Sequence, residues 1–167
     1  MLFRSVGKKK YAEYEDELQV LLAQGLQLQK ELLSLVDADA DVFQPLAAAY
    51  SLPAGTDEEK QLKTKQLAVA SLAATEVPLA IAEKSHQAML LCRRIADIGT
   101  KLAISDAGCA ALFLNAAVQA ARYNVLINLP LITDEDFVVD ARRRIESSCA
   151  ESERLCNEIR GTVDNRL

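Results

Sequence analysis

The sequence predicts an all-α protein, a multi-helix bundle built as one domain over residues 1–167. Three observations predict it. Glycine and proline are scarce, 6 and 4 in 167 residues, so few breakers interrupt the chain. Apolar residues recur at three- and four-residue steps over long stretches, the period of a helix with one buried face. No segment sustains the period-two alternation of a half-buried strand. Half of the residues are apolar and 26% are charged, which is the balance of a globular chain long enough to bury a core.

The first helix is expected from about Tyr11. Leu18, Leu21, Leu22, Leu28, Leu32, Leu35 and Val36 draw its apolar stripe, with acidic and Gln residues outside. It runs into Asp37-Ala38-Asp39-Ala40-Asp41, and Pro45 must disturb it by removing the hydrogen bond to the Asp41 carbonyl. Leu52-Pro53-Ala54-Gly55 stops it. Thr56-Asp57-Glu58-Glu59 then reads as a capping box, Thr followed by Glu three residues on, with Lys60, Lys63 and Lys65 on the exposed face of the helix it starts. Thr75-Glu76-Val77-Pro78 interrupts the pattern, and Pro78 suits the first turn of a new helix ending at Gly99. Gly99 to Asp106 reads as a loop closed by an N-cap, and an Ala-rich helix follows to Asn128. Leu129-Pro130 breaks it, and Thr133-Asp134-Glu135-Asp136 opens the last helix, where Arg142, Arg143 and Arg144 read as a solvated charged face.

Several function classes are disfavoured. A net charge of −5 argues against general nucleic-acid binding, and only Lys8-Lys9-Lys10 is dense enough to offer an anion a basic patch. No uninterrupted apolar run reaches about 18 residues, so no membrane span is expected. The apolar part of Met1 to Ser5 is too short for a secretory signal, which leaves a cytoplasmic location as the expectation. Cys92, Cys109, Cys149 and Cys156 form no C-x-x-C pair and are expected reduced and mostly buried; with His86 the lone histidine, no metal centre is expected. His86 itself lies on or beside an apolar stripe, as a partly buried histidine does.

The aspartates are the chemically informative stretch. Val36, Ala40, Phe43, Ala47 and Tyr50 trace one apolar stripe, and Asp39 falls on it, three after Val36 and four before Phe43. Asp37 and Asp41 share a more polar face and read as capping or solvated residues. A carboxylate facing a packed surface is costly unless it has a partner or a purpose, and acid–base catalysis is one such purpose. Asn124 and Asn128 lie four apart on the face of Ala117 and Ala121, where an amide must find a partner, either across helices or in a ligand.

Taken in order, Gly7-Lys8-Lys9-Lys10-Tyr11, Val36 to Phe43, Ala49-Tyr50-Ser51-Leu52-Pro53 and Glu58-Glu59-Lys60 resemble the formiminotetrahydrofolate cyclodeaminase family. Val77-Pro78-Leu79, Ser105-Asp106, Asn124 to Leu129 and Ile132 to Phe137 continue the match, so that it covers Gly7 to Phe137. The resemblance implies the helical fold of the C-terminal domain of formiminotransferase-cyclodeaminases, working as a homodimer. It also implies a tetrahydrofolate substrate, with one or more glutamates in its tail, in a cleft near the subunit interface, with no bound cofactor. The acidic residue regarded as catalytic in the family corresponds to Asp39. Lys8, Lys9, Lys10, Ser105, Asp106, Asn124 and Asn128 fall on family motifs and are carried over as site-lining residues, the lysines toward the folate carboxylates and the asparagines toward the pterin.

The implied reaction is the conversion of 5-formiminotetrahydrofolate to 5,10-methenyltetrahydrofolate with loss of ammonia, a lyase step of histidine degradation. The alternatives are methenyltetrahydrofolate cyclohydrolase and, from another class, an inactive helical scaffold or assembly module. Three departures bear on these. Family members carry a further segment before the Lys-rich stretch, with a Gly-Gly-Gly-Ser turn able to offer backbone N–H groups to an anion. Met1 to Val6 does not match it, so the chain reads as N-terminally shortened relative to the family. Thr100 stands where the family usually has Asn, and Pro45 is unusual after the aspartates.

Overall fold

Long helices stacked side by side need only short connections, and four of them carry the chain. The computed structural model describes residues 6, 7, 9–101 and 104–167, without the side chains of Lys10 and Tyr11. A 3₁₀ turn, Lys9–Tyr14, leads into α1, Glu15–Tyr50. α2 spans Asp57–Ile98, α3 spans Ile104–Asn128, a 3₁₀ turn covers Leu129–Leu131, and α4 spans Glu135–Asp164. No strand occurs among the described residues. α2 is the central element: α1, α3 and α4 all pack on it, α3 and α4 pack on each other, and α1 rests chiefly on α2.

The helix starts follow the local chemistry of the sequence. Thr56 Oγ1 accepts from the Glu59 N–H at 3.2 Å while Glu59 Oε2 accepts from the Thr56 N–H at 3.0 Å, completing the capping box. Asp134 Oδ1 accepts from the Phe137 N–H at 3.0 Å and opens α4. The ends are closed from a distance. Lys63, expected on an exposed face, instead donates from Nζ to the carbonyls of Tyr50 and Leu52, at 2.7 and 2.8 Å, and so caps α1. Arg166 does the same for α2, donating to the carbonyls of Ala96, Asp97 and Gly99.

Two expectations about breaks need correction. α2 does not restart at Pro78; it runs unbroken through it, and Pro78 is buried inside. Proline has no N–H, so the Ala74 carbonyl loses its helical donor. Asn128 Nδ2 of α3 replaces it, donating to that carbonyl at 3.1 Å. The second concerns Ser105 and Asp106, which lie within the first turn of α3 rather than in a loop ahead of it.

The core forms two adjoining clusters where α2, α3 and α4 meet, one around Leu79, Val118, Val125 and Ile145, the other around Met89, Ile104, Leu155 and Ile159. α1 adds smaller seams at its ends, Leu18 and Leu21 against Ile95 and Ile98, and Leu46 against Ala70 and Ala74. The outer face of α3 stays apolar and exposed at Phe113, Tyr123 and Ile127. Because small apolar residues raise the average, Ile104–Leu131 holds an 18-residue stretch of mean hydropathy 1.2 and is long and apolar enough to cross a membrane, although no uninterrupted apolar run in it reaches about 18 residues. A helix that packs on neighbours passes the same composition test, and α3 packs on α2 and α4.

Charged clamps finish the packing. Arg144 is only 27% exposed and reaches Glu83 at 2.8 Å, Glu76 at 3.6 Å and Asp140 at 3.7 Å, so it joins α4 to α2 instead of solvating a face; Arg142 and Arg143 stay exposed. α1 is tied to α2 by Arg94–Glu17 and Lys84–Glu31, both at 2.6 Å. The hydrogen bond from Arg94 holds the Glu17 carboxyl below its ordinary value of 4.5, and those from Lys84 and Gln27 do the same for Glu31. Depressed carboxyls stabilise the fold above the unfolded-state pKa, and that contribution is lost as pH falls through the folded-state value. Stability should therefore decline as pH falls below the ordinary carboxyl value of 4.5. Urea melts across that range should show a shallower decline for the Glu17→Gln/Glu31→Gln variant; an unchanged acid limb would remove this role.

Candidate active site

Helical phase placed Asp39 on an apolar stripe, and the structure turns that stripe outward. The buried side chains of α1 are Leu18, Leu21, Leu28, Leu46 and Ala49, whereas Val36, Phe43 and Tyr50 are 65%, 60% and 49% exposed. α1 carries two apolar faces about a sixth of a turn apart, and the three-to-four period alone cannot say which one the core takes. Asp39 is exposed and therefore not a core carboxylate. It stands instead on the wall of a cleft.

That cleft has a volume of about 240 Å³. Asp39, Phe43 and Tyr50 form its α1 wall, Ala74 lies in its floor, and Asn124 and Asn128 face them from α3. Residues far apart in the chain thus meet because α1 and α3 flank α2. The two asparagines differ in role. Asn128 is 7% exposed, and its amide N–H is committed to the Ala74 carbonyl. Asn124 is exposed at the rim, with no such commitment among the described residues, and can offer both donor and acceptor to a ligand. In the sequence Phe43 and Tyr50 read as packing residues of the apolar stripe; a large aromatic left open to solvent beside a carboxylate is what marks them in the structure.

The remaining residues carried over from the family lie elsewhere. Asp106 and Asn124 share α3 but stand about 27 Å apart at about 1.5 Å per residue. Glu15, at the start of α1, is already about 36 Å from Asp39 along the helix, and Lys9 precedes it. Lys8 and the side chain of Lys10 lie outside the described residues. Lys9, Ser105 and Asp106 therefore belong to the opposite end of the bundle from the cleft.

A second hollow of about 500 Å³ runs along the same two helices, walled by Leu28, Leu33 and Val36 of α1 and by Ala88, Cys92 and Ile95 of α2. Burial pushes the Cys92 thiol up to about 11, which keeps it protonated at neutral pH and unsuited to nucleophilic work. All four cysteines are free; Cys149 and Cys156 are buried, Cys92 is half-buried and Cys109 is exposed. His86 is 20% exposed and meets Glu151 at 3.2 Å between α2 and α4, away from the cleft. Among the described residues no group of three His, Cys, Asp or Glu is placed to hold a metal ion.

Fold and cleft together define an all-α bundle with a carboxylate-and-amide site between two helices. The family model described as Formiminotransferase-cyclodeaminase matches residues 1–147. A methenyltetrahydrofolate cyclohydrolase of Methylorubrum extorquens is 32% identical over 163 residues, covering 98% of this chain and 78% of that protein. The formimidoyltransferase-cyclodeaminase of Rattus norvegicus is 32% identical over 160 residues, covering 96% of this chain and 30% of the rat protein. Among solved structures, a formiminotetrahydrofolate cyclodeaminase from Thermotoga maritima superposes with a TM-score of 0.84 at 23% identity, over 98% of this chain and 78% of that one. The chain belongs to the formiminotransferase-cyclodeaminase family, and its fold is that of the Thermotoga cyclodeaminase.

Proposed function

We propose that this protein acts on the one-carbon unit held between N5 and N10 of tetrahydrofolate, with Asp39 as the acid–base group, and that its reaction is the cyclodeamination of 5-formiminotetrahydrofolate. The observation that carries the reading is the cleft in which Asp39 faces Asn124 across α2. N10 attacks the carbon of the formimino group, protonated on its terminal nitrogen, forming the new C–N bond. Asp39 takes the N10 proton and delivers it to the amino group of the resulting aminal. Ammonia departs, and 5,10-methenyltetrahydrofolate remains. One carboxylate performing both transfers is ordinary general acid–base work. Asn124 meets the pterin amide edge, while Asn128 already gives one N–H to the Ala74 carbonyl.

A second reading is favoured by the Methylorubrum relative, named a cyclohydrolase and covered over 78% of its length. There water adds to the methenyl carbon as Asp39 takes its proton; Asp39 then gives that proton to N5 as the C–N5 bond breaks, the hydroxyl proton leaves to solvent, and 10-formyltetrahydrofolate remains. Both reactions share the site, so the assay decides between them. Methenyltetrahydrofolate absorbance and ammonia release are followed with each substrate in turn. Ammonia formed together with rising absorbance supports cyclodeamination, while falling absorbance without ammonia supports hydrolysis. Activity with neither substrate would sink both and favour the scaffold alternative.

The same reading includes a homodimer. The exposed face of α3 with Phe113, Tyr123 and Ile127 supports it, as do the small residues Ala116 and Ala120 on that face, which permit close approach. Lys9, Ser105 and Asp106 are remote from the cleft within one chain, and in this reading they lie toward the substrate of a partner. A dimer or larger associate is expected by sedimentation, and Tyr123→Glu with Ile127→Glu should shift it toward monomer. A salt-insensitive monomer before any substitution would count against this assembly.

A further inference from the structure

The floor of the cleft is built on a defect in α2. Pro78 carries no N–H, so the carbonyl of Ala74, one turn earlier, has no helical donor, and both residues are buried. A buried carbonyl needs a partner, and the Asn128 amide supplies it at 3.1 Å. A carbonyl oxygen only accepts, so the amide can meet it with its nitrogen alone; turned about, two oxygens would face each other. That leaves Asn128 one way to stand. Among the described residues its side chain makes this one hydrogen bond, and its oxygen is not sealed from solvent as that of Asn115 is. The oxygen therefore opens into the cleft, which Ala74 and Asn128 both line.

We infer that Pro78 is a positioning residue: by withholding an N–H from Ala74 it locks the Asn128 amide, so that the deep wall of the cleft presents a fixed hydrogen-bond acceptor. This rests on the folate reading above and adds the polarity that the ligand must bring, an N–H aimed at the Asn128 oxygen. A ligand carbonyl aimed at that oxygen would go unmatched. Asn124, exposed at the rim, is not held in this way and can turn to suit either. The cleft thus pairs one fixed amide with one adaptable amide. Pro78 does not line the cleft, and its effect passes through Ala74 and Asn128. Holding a polar group in its bound orientation beforehand removes that ordering cost from binding.

The test uses the full chain with 5-formyltetrahydrofolate as ligand, and reads the two asparagines directly by NMR. In the unsubstituted protein the Asn128 side-chain amide should exchange with water at least about tenfold more slowly than that of Asn124. Pro78→Ala returns an N–H to Ala74 within the helix, and exchange at Asn128 should then approach that at Asn124. Affinity for 5-formyltetrahydrofolate should weaken about three- to tenfold, the worth of one neutral hydrogen bond. In turnover KM should rise by a like factor with kcat held, as for a contact made equally in ground and transition states. In an Asn128→Ala background Pro78→Ala should have no further effect on affinity, because the amide it releases is gone. A proline that served the helix alone would shift the melting temperature and leave affinity and KM where they were. Equal exchange at the two asparagines of the unsubstituted protein overturns the inference, whatever Pro78→Ala does to folding. An affinity unmoved in a folded Pro78→Ala variant overturns it too, and in both cases binding by the unsubstituted protein leaves the folate reading standing. Failure of the unsubstituted protein to bind 5-formyltetrahydrofolate would take both down.

Discussion

Asp39→Asn is expected to lower turnover by about a hundred- to ten-thousand-fold, the usual range for losing a general acid–base group, with folding and folate affinity close to those of the unsubstituted protein. The amide keeps the size of the carboxylate but cannot exchange a proton near neutral pH. Because Asp39 is exposed and no buried partner depends on it, the substitution leaves no unsatisfied group in the core. Asp37 and Asp41 provide the internal comparison. They are exposed on the same helix yet do not line the cleft, so Asn at either position should change stability by at most about 1 kcal/mol and leave the rate nearly intact. The measurement is kcat for all three variants with both candidate substrates. A dead Asp37 or Asp41 variant beside a normal Asp39→Asn would remove the assignment and the cleft with it.

Asn128→Ala is expected to destabilise the fold by about 1–3 kcal/mol, since it leaves the buried Ala74 carbonyl without any donor. The cause can be isolated, because the carbonyl is orphaned only through Pro78. In a Pro78→Ala background residue 78 regains its N–H and can donate to Ala74 within the helix. Asn128→Ala should therefore cost less there, and the double-mutant cycle should show a coupling of at least about 1 kcal/mol. Equal penalties in both backgrounds, read from denaturant melts, would mean that Asn128 acts by packing alone. Asn124→Ala, at the exposed rim, should leave stability unchanged, which separates the two asparagines.

What the sequence made legible was local. Thr56 with Glu59, Asp134, and the breakers at Pro53 and Pro130 mark boundaries within a few residues of themselves, and those boundaries stand. What escaped depends on partners far along the chain. α2 passes through Pro78 because a donor arrives from fifty-four residues away. Lys63 and Arg144 read as surface charge until the elements they join are in place. The Val36 to Tyr50 stripe reads as the inward face because a helix with two apolar faces has the same period whichever one is buried. The gathering of Asp39, Asn124 and Asn128 follows a different logic: motif order named them separately, and only the antiparallel run of α1 beside α2 brings them to one end. The family motifs carried no such information for Lys9, Ser105 and Asp106, which the length of the helices sets at the other end.

The way α1 is held has a consequence in time. α2, α3 and α4 clasp one another, while α1 leans chiefly on α2 through short seams and two ion pairs. Its amides are accordingly the ones to exchange with deuterium first, in openings that leave the other three helices closed. Asp39 rides on this loosely moored helix and Asn124 on a firmly moored one. Each breath of α1 thus widens the gap across which the two must face each other. A ligand bridging that gap would slow the exchange of α1 and leave α4 as it was.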